Sequence, residues 1–176
     1  MNRFNKWMVA GWILACIGLI SVAGAEATEG TDACAMLHKE DVEAAFIPRK
    51  FDSGQPGDAV KSAPERASVS SCTFTSRGST AKEMVTVTLG LRVASSDSTG
   101  TPPAAAWAGA IQLNAKPVAV EGLGEGAYMV NLGDTIQLNV FRGKREWLIF
   151  GSRAKMLDSK TVLARLTKIA EKTLAR

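Results

Sequence analysis

The chain has 176 residues and a mass of 18.6 kDa, a length that corresponds to about one domain. With 46% hydrophobic and 22% charged residues and a mean hydropathy of +0.04, it has a globular composition, which excludes disordered, collagen-like and disulfide-dense classes. The formal charge is +4, and the single histidine, His38, excludes a histidine cluster for zinc or copper.

The N-terminus has the pattern of a secretory signal. Two basic residues precede an uncharged apolar run that ends in Ala23-Gly24-Ala25, the small-residue pattern that signal peptidases cut. We expect residues 1–25 to be a signal peptide that is cleaved after Ala25, so that the protein is periplasmic or secreted. Two alternatives stay open: an uncleaved signal anchor, because the run is nearly long enough to span a bilayer, and a lipoprotein acylated at Cys16.

Cleavage would lower the formal charge to +2 and leave Cys34 and Cys72 as the remaining cysteines. An even pair of cysteines in an oxidising compartment predicts a disulfide between them. A redox-active pair is the alternative, although the sequence has no Cys-x-x-Cys spacing. Since nucleic-acid binding needs a clustered basic face, the nearly balanced charge predicts no nucleic-acid partner.

A short polar lead-in over residues 26–32 precedes a single domain, which we predict over residues 33–176. The first helix is predicted to begin after His38, which stands at the N-cap position, and Pro48 ends it. The next segment, residues 49–65, is rich in glycine and proline and therefore predicts a long loop.

Alternating apolar and polar residues predict two strands, over residues 70–75 and 84–93. A second helix is predicted to start at Pro102-Pro103, because proline is tolerated in the first turn of a helix. Trp107 and Ile111 lie on one face of this helix, and we expect both to hold it against the sheet.

After Pro117 the chain has a run of short strands separated by glycine-containing turns, which favours an antiparallel meander. These strands are predicted over residues 118–121, 127–131, 136–141 and 146–150. The order α-β-β-α-β-β-β-β-α predicts an α+β fold, with a mainly antiparallel sheet and helices packed on one face.

The last helix is predicted from Asp158, a good N-cap residue, to Leu174. Its apolar stripe consists of Val162, Leu163, Leu166, Ile169, Ala170 and Leu174. We expect the stripe to cover the sheet as a lid. Because the opposite face is basic, binding to an anionic membrane surface is the alternative.

The segment Gly122-Leu123-Gly124-Glu125-Gly126-Ala127 formally fits a dinucleotide-binding pattern, but the helix that this pattern requires is not predicted after it. We expect Gly124 and Gly126 to supply positive φ in a tight connection between strands. The sequence also contains no P-loop, nucleophile-elbow, zinc-protease or EF-hand motif, and we predict neither a cofactor nor a metal.

One basic cluster is interleaved with an aromatic residue at a predicted hairpin tip: Arg142, Lys144, Arg145 and Trp147. Because arginine binds oxyanions through two parallel hydrogen bonds, these residues are candidate contacts to a ligand or partner. The alternative is a solvated turn that protects a sheet edge from pairing.

Three segments of the chain carry a family resemblance: CAMLHKEDVEAAF (residues 34–46), SCTF (residues 71–74) and VEGLGEGAY (residues 120–128). They resemble a family of small bacterial secreted proteins and lipoproteins of unknown function. More distantly, they are similar to extracellular sensor domains of bacterial Ser/Thr kinases. The resemblance implies an α+β envelope domain in which Cys34 is bonded to Cys72, and it brings no catalytic residues. The chain departs from the family pattern at His38, where the family has threonine, and at Phe46-Ile47-Pro48 and Glu125.

Together these features predict an exported, non-enzymatic binding or accessory domain of the bacterial cell envelope. Its partner would be an envelope protein or a small molecule, contacted through the loop of residues 49–65 or the basic hairpin tip. The alternatives are a peripheral membrane protein or lipoprotein, and a small hydrolase or isomerase with paired carboxylates. The candidate carboxylates are Glu40, Asp41, Glu43, Glu121, Glu125 and Asp134.

Overall fold

The computed structural model describes residues 32–57, 67–78, 80 and 83–176, so the predicted signal, its cleavage site and Cys16 lie outside the described residues. The helices are α1 (Ala33–Met36), α2 (Lys39–Ala45), α3 (Pro103–Gln112) and α4 (Ser159–Leu174). The strands are β1 (Gln55–Gly57), β2 (Ala67–Ser76), β3 (Val85–Ala94), β4 (Val118–Ala119), β5 (Gly126–Asn131), β6 (Thr135–Arg142) and β7 (Glu146–Arg153). They form one seven-stranded antiparallel sheet, which confirms the predicted α+β fold.

The sheet joins an N-terminal group of strands to a C-terminal meander in the order β1-β2-β3-β7-β6-β5-β4. The meander of β4, β5, β6 and β7 is the predicted one, and β3 pairs with its last strand, where Leu89 lies opposite Phe150. β2 confirms the first predicted strand and extends it at both ends, and β3 confirms the second with its bounds shifted by one residue. Part of the predicted loop over residues 49–65 is instead strand β1, because residues 55–57 pair with β2 at the sheet edge.

One face of the sheet carries the main core. Alternating residues of β3, β6 and β7 are buried there and meet α4, whose Leu166 and Ile169 are fully buried. The cap of α4 is the predicted one, since the Asp158 carboxylate accepts a hydrogen bond from the Thr161 N–H at 2.9 Å. The apolar stripe of α4 therefore lies on the sheet, as predicted for a lid. No helix within the described residues is long and apolar enough to cross a bilayer.

The N-terminal helices pack on the same face and are fixed by covalent and ionic contacts. Cys34 of α1 and Cys72 of β2 form the predicted disulfide, with their Cα atoms 4.9 Å apart. Asp41 of α2 is buried and binds Lys172 of α4 at 3.1 Å, and it also binds Arg176. These contacts fix α2 against the end of α4.

Helix α3 differs from the prediction because it lies on the opposite face of the sheet. Strand alternation directs Tyr128, Phe141 and Trp147 away from the main core, and with α3 they form a second apolar cluster. Trp107 packs into this cluster as expected. Ile111 does not, since it is 53% exposed, and the small residues of α3 make the close contacts instead.

The glycine segment between β4 and β5 is a tight strand connection, as predicted. Gly124 has a φ of +55°, but the second left-handed residue is Gly122, with a φ of +79°, rather than Gly126, which lies in β5. The intervening Leu123 is buried in the main core. The segment leads into a strand, so it lacks the helix N-terminus on which a dinucleotide phosphate would bind.

Candidate functional site

A groove of about 470 Å³ lies between α3 and the sheet face formed by β5, β6 and β7. Its helix side consists mainly of small residues, including Ala106, Gly109 and Ala110. Because these side chains are short, α3 leaves open space above the sheet. A Cβ atom added at Gly109 would have no neighbour within 4 Å.

The mouth of the groove carries exposed apolar side chains. Leu113 follows α3 and is 83% exposed, and Leu132 follows β5 and is 54% exposed. Both leucines line the groove. Apolar area that faces water beside a concave surface is typical of a site that another molecule covers.

A row of four aromatic rings runs from Trp107 of α3 across the sheet side of the groove. Trp107 meets Tyr128 edge-on with the ring centroids 5.4 Å apart, and Tyr128 stacks on Phe141 with the ring centroids 6.2 Å apart. Phe141 in turn stacks on Trp147 at 5.5 Å. Burial raises the pKa of the Tyr128 hydroxyl, so this group stays neutral at physiological pH. Rings packed in this way hold one another in place and give the groove a stiff floor.

Asn139 of β6 lies at the base of the groove and is fully buried. Its Oδ1 accepts hydrogen bonds from Trp147 Nε1 at 3.1 Å and from Gln137 Nε2 at 3.0 Å. An indole nitrogen only donates, so the atom that faces it must be the amide oxygen. The Asn139 Nδ2 donor has no hydrogen-bond partner among the described residues. A buried donor of this kind is costly, and an acceptor in the groove would remove that cost.

The groove is electrically neutral. None of the described residues that line it carries a charge. The side chain of Gln137 adds an amide beside Asn139, and the remaining lining is apolar or aromatic apart from Gln112 at the end of α3. The site therefore offers directed hydrogen bonds inside an apolar enclosure rather than an ion-binding field.

The structure separates the four predicted contact residues of the hairpin tip. Trp147 lies in the aromatic row of the groove, whereas Arg142 projects from the other face and binds Glu146 at 2.6 Å. Arg145 Nε donates to the Ala94 carbonyl at 2.8 Å, and Lys144 lies 4.0 Å from Asp97. Of the four, Trp147 is the one that lines the groove.

The candidate carboxylates lie in separate environments. Burial raises the pKa of Asp41, but the hydrogen bonds and charges of Arg176 and Lys172 outweigh it, and the net pKa is lowered. The Phe51 N–H and Lys50 lower the pKa of Glu43.

Asp134 is exposed and binds Lys155 at 2.9 Å, and the hydrogen bond and charge of that lysine lower its pKa. Glu40, Glu121 and Glu125 are exposed. Within the part of the chain that the structure describes, no cluster of histidine, cysteine and acidic side chains is suited to hold a metal ion.

The sequence of β6 contains a pattern that indicates the polar part of the groove, although only a strand was predicted there. In Ile136-Gln137-Leu138-Asn139-Val140 the apolar residues share one face, and the two amides share the other with Phe141. Two amides in line on a central strand indicate a polar site on that face. The small residues of α3 complete the site, but their position above these amides depends on the tertiary fold.

Comparisons with protein-family models, with curated proteins and with solved structures found no match for this chain. The resemblance of its three short segments to secreted proteins and lipoproteins therefore stays a prediction. The groove between α3 and the sheet is identified as the candidate site from its geometry alone.

Proposed function

We propose that this chain is an exported, non-enzymatic binding domain that holds a small, mostly apolar molecule in the groove between α3 and the sheet. The observation that carries the proposal is the groove of about 470 Å³, whose described lining is uncharged and whose base holds an Asn139 Nδ2 donor without a partner among the described residues. Its volume lies within the range of small-molecule sites, which combine apolar walls with a few fixed polar groups.

The exposed leucines supply a driving force for binding. Covering Leu113 and Leu132 would remove two largely exposed apolar side chains from water. Fully burying one leucine side chain is worth about 1.5–3 kcal/mol, so covering most of both contributes a few kcal/mol. The stiff aromatic floor keeps the cost of ordering the site low.

The basic hairpin tip is the weaker candidate site. Arg142, Lys144 and Arg145 each have a partner within the protein, and an oxyanion would have to compete with these contacts.

Export is supported by the disulfide, because such bonds persist in oxidising compartments. The groove also opens on the face of the sheet that does not carry the disulfide.

Titration with the neutral dye Nile red, whose emission rises in apolar sites, tests the proposal on the full chain expressed in a bacterial host. We expect saturable binding of one dye per chain. Ala110→Leu fills the groove from α3 and should weaken dye binding at least about ten-fold, because added methyl groups compete for the same space.

Ala108→Leu is the matched control, since Ala108 is exposed and lies about 160° around the same helix from Ala110. It should bind the dye like the wild type. Both variants carry the same N-terminal segment, so a difference between them reports on the groove. Equal dye binding by the wild type and Ala110→Leu would contradict the proposal.

A further inference from the structure

We infer that the groove takes a neutral, apolar molecule that presents a carbonyl oxygen, and that this oxygen accepts a hydrogen bond from Asn139 Nδ2. The inference rests on the proposed binding function and specifies its ligand class. It assigns Asn139 as the residue that determines specificity.

The hydrogen bonds around Asn139 define what the ligand must offer. Trp147 and Gln137 both donate to Asn139 Oδ1 and occupy its two lone pairs. The amide oxygen therefore has no lone pair left to accept a hydrogen bond from the ligand. Its Nδ2 group is buried without a partner among the described residues and still has hydrogens to donate. The group that complements Asn139 is therefore an acceptor without a hydrogen of its own, such as a carbonyl oxygen. A hydroxyl would bring a hydrogen that Asn139 cannot accept.

The lining of the groove explains why the ligand should be neutral. The described lining residues include no cation, and the nearby Arg142 is paired with Glu146 on the other face of the sheet. A carboxylate that entered the groove would lose its hydration without gaining an opposite charge. A ketone, ester or amide oxygen accepts the same hydrogen bond at a much smaller desolvation cost.

The position of the donor also determines how the ligand lies. Asn139 is directly opposite Tyr128 on β5, and Trp147 donates to it from β7. A carbonyl oxygen at Nδ2 thus lies at the aromatic floor. The apolar body of the ligand then extends between α3 and the exposed leucines at the mouth.

Three naphthalene compounds of similar shape test this assignment by displacing Nile red from the full chain. They are 2-acetylnaphthalene, which has a carbonyl oxygen, 2-isopropenylnaphthalene, in which a CH₂ group replaces that oxygen, and 2-naphthoate, which is an anion. The hydrocarbon is less well hydrated than the ketone and leaves water more readily. A preference for the ketone therefore has to come from contacts in the site. We expect the ketone to displace the dye at about ten-fold lower concentration than the hydrocarbon, and naphthoate to be the weakest.

Asn139→Leu should remove the preference for the ketone while the hydrocarbon still displaces the dye. Thr86→Val is the control, because it makes an apolar change on the same sheet face outside the groove and should keep the preference. Thermal melting curves establish that each variant is folded. If Asn139→Leu does not fold, the ratio between the ketone and the hydrocarbon in the wild type decides the question.

The possible failures are distinguishable. Equal displacement by ketone and hydrocarbon in the wild type, or a preference that survives in a folded Asn139→Leu, would overturn the role of Asn139 and leave the groove as a binding site. Stronger displacement by naphthoate than by the ketone would overturn the neutral class. Absence of saturable dye binding would overturn the proposed function itself and the ligand class with it.

Discussion

Reduction of the disulfide between Cys34 and Cys72 should lower the free energy of unfolding by about 4 kcal/mol. The two cysteines are 38 positions apart, and the cross-link removes the entropy of closing this loop from the unfolded chain. In the chain-entropy treatment a loop of this length is worth roughly 4 kcal/mol at 25 °C, with structure in the reduced unfolded chain acting to lower the value. The loss is a large fraction of the stability of a typical domain.

Urea unfolding of the wild type with and without a reductant measures this loss directly. Reduction keeps both sulfur atoms in place, whereas substitution of the fully buried Cys72 would also leave a cavity. With a denaturant slope of about 2 kcal/mol per molar urea, the midpoint should fall by roughly 2 M, and the slope should rise because the reduced unfolded chain is more expanded. A Cys34→Ala/Cys72→Ala variant should be no more stable than the reduced protein and should not respond to reductant. A midpoint that moves by less than about 0.5 M on full reduction would refute the reasoning.

Two further substitutions test the contacts that hold the fold together. Asp41→Asn should cost about 2 kcal/mol at pH 7, since it removes a buried carboxylate that binds the partly exposed Lys172 and Arg176. The pKa of this carboxyl is lowered on folding from its usual value of 3.8, so its stabilisation is fully present above that pH and is lost as the pH falls through the lower folded value. Urea midpoints of wild type and variant should therefore converge in acid, and a gap that is the same at pH 7 and pH 2 would contradict the assignment. Gly124→Ala should cost at least about 1 kcal/mol more than Gly133→Ala in thermal or urea unfolding. Both glycines have positive φ, but an added Cβ at Gly124 would clash with the carbonyl oxygen of Phe141 in β6, whereas the space at Gly133 is open. Equal costs would show that this close approach is unimportant.

Local patterns in the sequence were sufficient for most of the sheet and for α4. In β3 the valines and leucines alternate with polar residues because one side of the strand is buried, and the period of two is visible without a structure. The N-cap and apolar stripe of α4 are equally local signals. Both predictions succeeded because neighbouring residues carry all the information that is needed.

The prediction that all helices pack on one face of the sheet was wrong for α3. The face on which α3 lies depends on contacts between residues that are distant in sequence. Trp107 and Ile111 share a helix face, but the position of the aromatic residues on β5, β6 and β7 determines where α3 lies, and Ile111 stays exposed. The short pairing of β1 with β2 is set in the same way, because Gln55–Gly57 carries no apolar alternation of its own. The groove could not be predicted from the sequence for the same reason, since its two walls come from separate parts of the chain.

The pairing of β3 with β7 has a consequence for the order in which the chain folds. Partners such as Leu89 and Phe150 are about 60 positions apart, and the central part of the sheet is made from this contact. A chain that emerges from the ribosome N-terminus first presents β3 long before β7 has been synthesised. The N-terminal strands therefore keep an unpaired edge until β7 has been synthesised, and the centre of the sheet is completed only then.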